Sequence, residues 1–174
     1  MKIKTLVICS FLTALLSVSS MLIIPIGSIP VTMSLLALFI IGGITKPQHA
    51  VLIALIYIGL GACGLPIFAG FVGGIGAIAA QTGGFILSYP LAIGVQSAIC
   101  YKLKKEGTLS ILLAEIIALI ICYFVGTLWF CFVTKTGFIQ SLLVCVLPFI
   151  AFDLIKAIIS VVVIKQVKKH IHLY

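Results

Sequence analysis

The stretch that decides the fold is Leu109–Val133, LSILLAEIIALIICYFVGTLWFCFV, twenty-five residues with a single ionisable acid, Glu115, and no proline. At about 1.5 Å per residue it is longer than the roughly 30 Å hydrocarbon core of a bilayer, so it predicts a membrane-spanning helix. Trp129, Phe130 and Phe132 gather near its far end, as an interfacial aromatic belt would. The rest of the 174-residue chain has the same character: 63% of residues are hydrophobic and only 8% charged, with a mean hydropathy of +1.43. Soluble domains run at about 45–50% apolar and about 25% charged, so soluble enzymes, disordered regulators and secreted disulfide scaffolds are excluded.

Outward from that segment, proline, glycine and lysine divide the chain into six apolar runs, at about 5–24, 31–45, 49–62, 83–101, 109–133 and 141–167. The first, preceded by Lys2 and Lys4, could be taken for a signal peptide, but its length and the apolar runs behind it identify a retained span. A charge-free turn at residues 25–30 follows it. The expected fold is all-α: one membrane domain, a bundle of six transmembrane helices. A glycine-rich loop joins helices 3 and 4, because residues 59–84 hold 9 of the 16 glycines.

Charge fixes the orientation. All 11 basic residues are lysine. Threading six spans with the N-terminus inside puts Lys2, Lys4, Lys46, Lys102, Lys104, Lys105, Lys165, Lys168 and Lys169 on one side. Lys135 alone falls on the other, and Lys156 stays within a span. The positive-inside rule therefore places both termini in the cytoplasm. The formal charge of +8 is topology charge; with no arginine and no basic aromatic face, no nucleic-acid partner is expected.

The informative polar residues are few. In Leu147-Pro148-Phe149-Ile150-Ala151-Phe152-Asp153-Leu154-Ile155-Lys156 the carboxylate and the ammonium stand three residues apart, hence on one helix face. Pro148 suits a first helical turn, which puts Asp153 about one turn into the membrane from the outer side. An intramembrane ion pair is a poor device for stability alone, so this pair marks a binding site open to the outside, against the simpler reading of a structural clamp. Glu115, close to the cytoplasmic end of its span, has room to snorkel inward or to contact another protein, and the simpler reading, without a functional role, is preferred for it. The glycine-rich segment reads as a loop dipping over the site, with small-residue helix packing through Gly70 and Gly74 as the alternative.

Other patterns lead nowhere. Gly59-Leu60-Gly61-Ala62-Cys63-Gly64 matches a dinucleotide fingerprint but ends a membrane helix, and no Walker A, G-x-S-x-G or H-E-x-x-H sequence exists. The six cysteines have no metal spacing, and His170-Ile171-His172 lies among tail lysines; neither a metal nor a cofactor is expected. An intramembrane enzyme using Asp153 has no nearby histidine or nucleophile to work with, so no enzymatic activity is expected.

Three stretches together resemble the BioY family, the biotin-binding S components of energy-coupling-factor (ECF) vitamin transporters. They are Ile29-Pro30-Val31-Thr32-Met33; Gly64-Leu65-Pro66-Ile67-Phe68-Ala69-Gly70 with Gly73-Gly74 and Thr82-Gly83-Gly84; and Leu147-Pro148-Phe149 with Asp153-Leu154-Ile155-Lys156. The resemblance implies a six-helix protein of the bacterial cytoplasmic membrane that captures biotin from outside. It implies as partners a transmembrane coupling subunit and ATP-hydrolysing subunits. An S component for thiamin or riboflavin, or a solitary transporter without an ATPase module, are the alternatives. Where such proteins present Ala-x-x-x-Ala to the coupling subunit, this chain has Ser10-x-x-x-Ala14. It also carries Gln81 before Thr82-Gly83-Gly84, and Ser34 in span 2, where relatives often have other residues. For the ligand, the expected contacts are Asp153 on a ureido N–H, with Lys156 on the ureido oxygen or the carboxylate. Gln81, Thr82, Gly83, Tyr89, Gly73 and Thr32 supply further contacts, and Phe68 and Phe85 apolar walls. Nanomolar binding of a ligand of about 16 heavy atoms asks for only about −0.8 kcal/mol per atom, which is within reach.

Overall fold

The structure, a computed structural model, describes residues 3–24, 31–103 and 107–170. The turn at residues 25–30, the lysines of the 104–106 loop, Lys2 and His172 lie outside the described residues. Nearly all of the rest is helical: α1 (Ile3–Met21), α2 (Ser34–Ile44), α3 (Pro47–Ala62), α4 (Ile75–Ala79), α5 (Gly83–Lys102), α6 (Thr108–Thr134), α7 (Phe138–Cys145) and α8 (Ile150–His170). Two short strands, β1 (Ile23–Ile24) and β2 (Val31–Thr32), pair antiparallel with Ile23 opposite Thr32.

Among these, α1, α5 and α6 are each long and apolar enough to cross a membrane, and α7 with α8 forms a bent pair equivalent to a fourth crossing. The shorter α2 and α3 are apolar but, at 11 and 16 residues, fall below the length of a full span. The apolar run at 31–45 therefore begins as a strand and only then becomes helix. The end of the 5–24 run is likewise β1 rather than helix.

The expected single run at 141–167 needs correction. It is two helices, α7 and α8, meeting at 54°. Pro148 explains the break: it has no N–H to donate, and its ring would collide with the carbonyl four residues back if a helix continued. Instead the chain turns through residues 146–149, where Phe149 N and Ile150 N both donate to Val146 O. Pro148 thus precedes α8, and Asp153 sits in the first turn of that helix.

The buried core runs the length of the bundle. α5 packs on α6, α3 and α2, while α8 packs on α2 and α6. Leu38, Phe39 and Ile41 of α2, Ile53 of α3, Ile93 of α5 and Ile164 of α8 are all buried. Outward faces are apolar and exposed, as a lipid-facing surface must be when hydrocarbon is the solvent; Phe11, Leu55, Leu91, Phe124 and Phe132 are examples. Phe130 departs from the expected aromatic belt, since it turns inward onto Val31, Cys145 and Phe149.

Between α3 and α5 the chain is loop apart from the short α4, and Gly70 and Gly74 lie in the loop part before it. Gly70 and Gly74 have φ of 77° and 91° with open space around their Cα hydrogens, which a small-residue helix contact would not show. Gly74 N instead donates to Gly61 O at 2.7 Å. Gly61 is also the floor for the Phe68 ring, which a Cβ there would strike.

Candidate ligand-binding site

A cavity of about 290 Å³ lies between the β1–β2 hairpin, the glycine-rich segment and the break between α7 and α8. Its polar heart is Asp153, on the first turn of α8, where the partial positive charge of the helix N-terminus favours a carboxylate. Lys156 Nζ donates to Asp153 Oδ1 at 2.8 Å, and the Tyr123 hydroxyl of α6 donates to Oδ2 at 2.7 Å. Lys156 Nζ also donates to Thr32 O at 2.8 Å, tying α8 to the hairpin. Both charged side chains are less than a tenth exposed.

The three-residue spacing read from sequence thus becomes a buried pair with its charges compensated. Capacity remains on both partners. A carboxylate offers about four lone-pair positions and an ammonium three N–H groups; two of each are used here. A second polar cluster adjoins the first through Thr32: the Ser34 and Tyr89 hydroxyls bond at 2.8 Å and Thr32 Oγ1 bonds Ser34 Oγ. Tyr57 stacks on Tyr89 with ring centroids 6.2 Å apart, and Phe68 meets Tyr57 edge-on at 5.4 Å. Val31, Leu35, Phe85, Ile86 and Phe149 complete an apolar lining. A mostly apolar cavity with a few converging polar groups is the usual form of a small-molecule site.

Six residues singled out from sequence line this cavity together: Thr32, Thr82, Phe85, Tyr89, Asp153 and Lys156. Four others are not part of the lining. Gln81 is exposed at the entrance to α5. Gly73 and Gly83 lie where a Cβ would strike the backbone of Leu65 and Ile78, respectively, so they shape the loop's fold. Phe68 stands behind Tyr57 rather than in front of it. Ser20, Ser34, Tyr57 and Tyr123 line the cavity without having been singled out as ligand contacts. A phenol in an otherwise apolar run must find a partner for its hydroxyl, but the sequence pattern of Tyr57 and Tyr123 does not say which partner or whether a cavity is near.

Ser10 and Ala14 are exposed on α1, and Phe11 and Val18 stand exposed near them. Thr13 and Ser17 turn into the bundle, each donating to the carbonyl four residues back. Glu115 departs from expectation. It does not snorkel but is fully buried, with Ser160 Oγ 2.6 Å from its Oε1. Among the described residues, no cluster of three or more histidine, cysteine or acidic side chains could hold a metal ion.

Helices with lipid-facing apolar surfaces around a cavity built on an intramembrane ion pair define a multi-pass membrane protein with a small-molecule site. Residues 1–173 match the BioY family, and the chain belongs to that family. It is 32% identical over 168 residues to a probable biotin transporter BioY of Pyrococcus horikoshii, covering 97% of this chain and 98% of that one. Biotin transporter BioY2 of Lactococcus lactis subsp. cremoris is 31% identical over 158 residues, 91% of this chain and 86% of that protein. A crystal structure at 2.1 Å of the S-component for biotin from an ECF-type ABC transporter has the same fold. Its TM-score is 0.90 at 27% identity, over 97% of this chain and 92% of that one.

Proposed function

We propose that this chain is the biotin-binding S component of an ECF-type transporter, taking biotin from the outer side of the membrane for delivery to the cytoplasm. The observation that carries the reading is the buried Asp153–Lys156 pair at the wall of a cavity formed at a helix break. The family match and the biotin-transporting relatives favour biotin over thiamin or riboflavin.

The ureido group of biotin has two N–H donors and one C=O, and the pair has matching spare capacity. Asp153 accepts from a ureido N–H, Lys156 uses its third N–H on the ureido oxygen or the valerate, and Phe85 and Ile86 cover the thiophane. Thr32, Thr82 and Tyr89 supply hydroxyls, while Phe68, Gly73 and Gly83 hold the wall and loop in shape. Gln81, at the rim, is placed for the valerate end. In this reading α2 and α3, although short, and the α7–α8 pair complete six spans with both termini cytoplasmic, in a cytoplasmic membrane as proposed for bacterial members. Ser10 and Ala14 face a transmembrane coupling subunit that works with ATP-hydrolysing subunits. No Walker A sequence is present to supply that chemistry in this chain.

Equilibrium binding of labelled biotin to the purified chain in detergent, with unlabelled vitamins as competitors, tests the reading. Competition by biotin alone is expected, and Asp153→Asn is expected to weaken binding at least tenfold, about 1.4 kcal/mol, in a protein that still folds. Unchanged affinity in that variant would remove Asp153 from the site, and competition by thiamin or riboflavin would change the substrate.

A further inference from the structure

α6 and α8 meet at a second polar level that plays no part in the cavity. Glu115 lies eight residues before Tyr123 on α6, and Ser160 lies seven residues after Asp153 on α8. The two antiparallel helices therefore carry the Tyr123–Asp153 contact and the Glu115–Ser160 contact about 12 Å apart along their axes.

The hydrogen inventory at this second level does not balance for an ionised acid. Ser160 Oγ is 2.6 Å from Glu115 Oε1 and 2.7 Å from Ala157 O. A serine hydroxyl has one proton and two lone pairs. A carboxylate and a backbone carbonyl only accept, so with an ionised acid a single proton would be divided between the two contacts and fully satisfy neither. A proton on Glu115 Oε1 resolves the arrangement: Glu115 donates to Ser160 Oγ, and Ser160 donates to Ala157 O. Oε2 supports the same assignment, since it is buried and has no hydrogen-bond partner among the described residues. That is tolerable for the carbonyl oxygen of a neutral acid and costly for half of a carboxylate in a membrane interior.

Among the described residues, no charge pairs with Glu115 either. From α8, Lys156 is committed to Asp153 and Thr32 O, Lys165 reaches Thr108 at the start of α6, and Lys168, Lys169 and His170 belong to the last turn. α2, which packs on α8, has no titratable side chain. From α5, Tyr89 bonds Ser34 at the cavity, and Cys100, Tyr101 and Lys102 belong to the final turn. α7 contributes only Cys145, at the cavity end. We infer that Glu115 is a proton-binding site: an intramembrane carboxylic acid that holds its proton at neutral pH and donates it to Ser160, separate from the ligand-binding pair.

Infrared spectroscopy of the full chain in detergent at pH 7 reads this directly. A C=O stretch of a protonated carboxyl group is expected in the wild-type spectrum, lost in Glu115→Gln and kept in Asp153→Asn. Ser160→Ala is expected to move the band to higher wavenumber, because the acid loses its acceptor; that readout stands even if Glu115→Gln does not fold. The absence of such a band in the folded wild-type protein, its disappearance with Asp153→Asn instead, or a band indifferent to Ser160→Ala would each overturn the assignment.

Discussion

Two carboxyl groups are buried between α6 and α8, and their surroundings are opposite. Asp153 has a cation at 2.8 Å, a phenol at 2.7 Å and the start of a helix, and it opens on a cavity. Glu115 has one serine, no paired cation among the described residues and no place in the cavity lining. The difference shows two ways in which an acid is accommodated between membrane helices, with a paired cation and without one. Beside the cavity, a cation, a phenol and a helix start converge on the carboxyl group; where helices only pack, the acid keeps its proton and one hydroxyl suffices. Length and hydropathy would not distinguish these two positions.

The comparison breaks most severely at Lys156. Lys156→Met removes the cation paired with Asp153 and leaves a buried charge uncompensated, which costs about 3–5 kcal/mol. Thermal unfolding in detergent should show this as a large drop, and the double variant Lys156→Met with Asp153→Asn should recover most of it. If the single variant unfolds like wild type, the pair is not the buried, mutually dependent unit described above.

A smaller effect is expected at Tyr123. Tyr123→Phe removes the donor to Asp153 Oδ2 without altering the ring, and a hydrogen bond to a charged group is worth about 1.5–3 kcal/mol. Combined with Asp153→Asn, the losses should be less than additive, because both substitutions delete the same contact. Full additivity would mean that Tyr123 acts through packing alone.

These residues also mark how far the sequence could be read. Asp153 and Lys156 were legible because they share one turn of one helix, and spacing alone put them on one face. Tyr123 was not, because its partner is 30 residues away and a tyrosine in an apolar run has the same pattern as core. Ser34 shared that fate: it was noted only as a departure from a family pattern, yet its hydroxyl links Thr32 to Tyr89. The break before α8 was half legible. Pro148 announced a helix boundary, but only the packing of α7 against α6 explains why the preceding residues form a separate helix at 54° instead of a loop. Glu115 was misplaced because position along a span says nothing of rotation. It lies on the face of α6 that turns to Ser160, 45 residues on, and a side chain with a neutral partner there has no reason to snorkel.

The smallest effect separates the two acids most cleanly. Glu115→Gln replaces a neutral acid by a neutral amide of nearly the same shape, whose N–H can donate to Ser160 as the acid does. It should change stability by less than about 1 kcal/mol and leave biotin binding unaltered, whereas the same acid-to-amide change at Asp153 should cost at least tenfold in affinity. Thermal unfolding and labelled-biotin binding on the two variants side by side measure this contrast. A penalty at Glu115 as large as that of losing a buried ion pair would mean that its charge is used in the fold. The second polar level would then be an electrostatic contact like the first, and the proton would belong elsewhere.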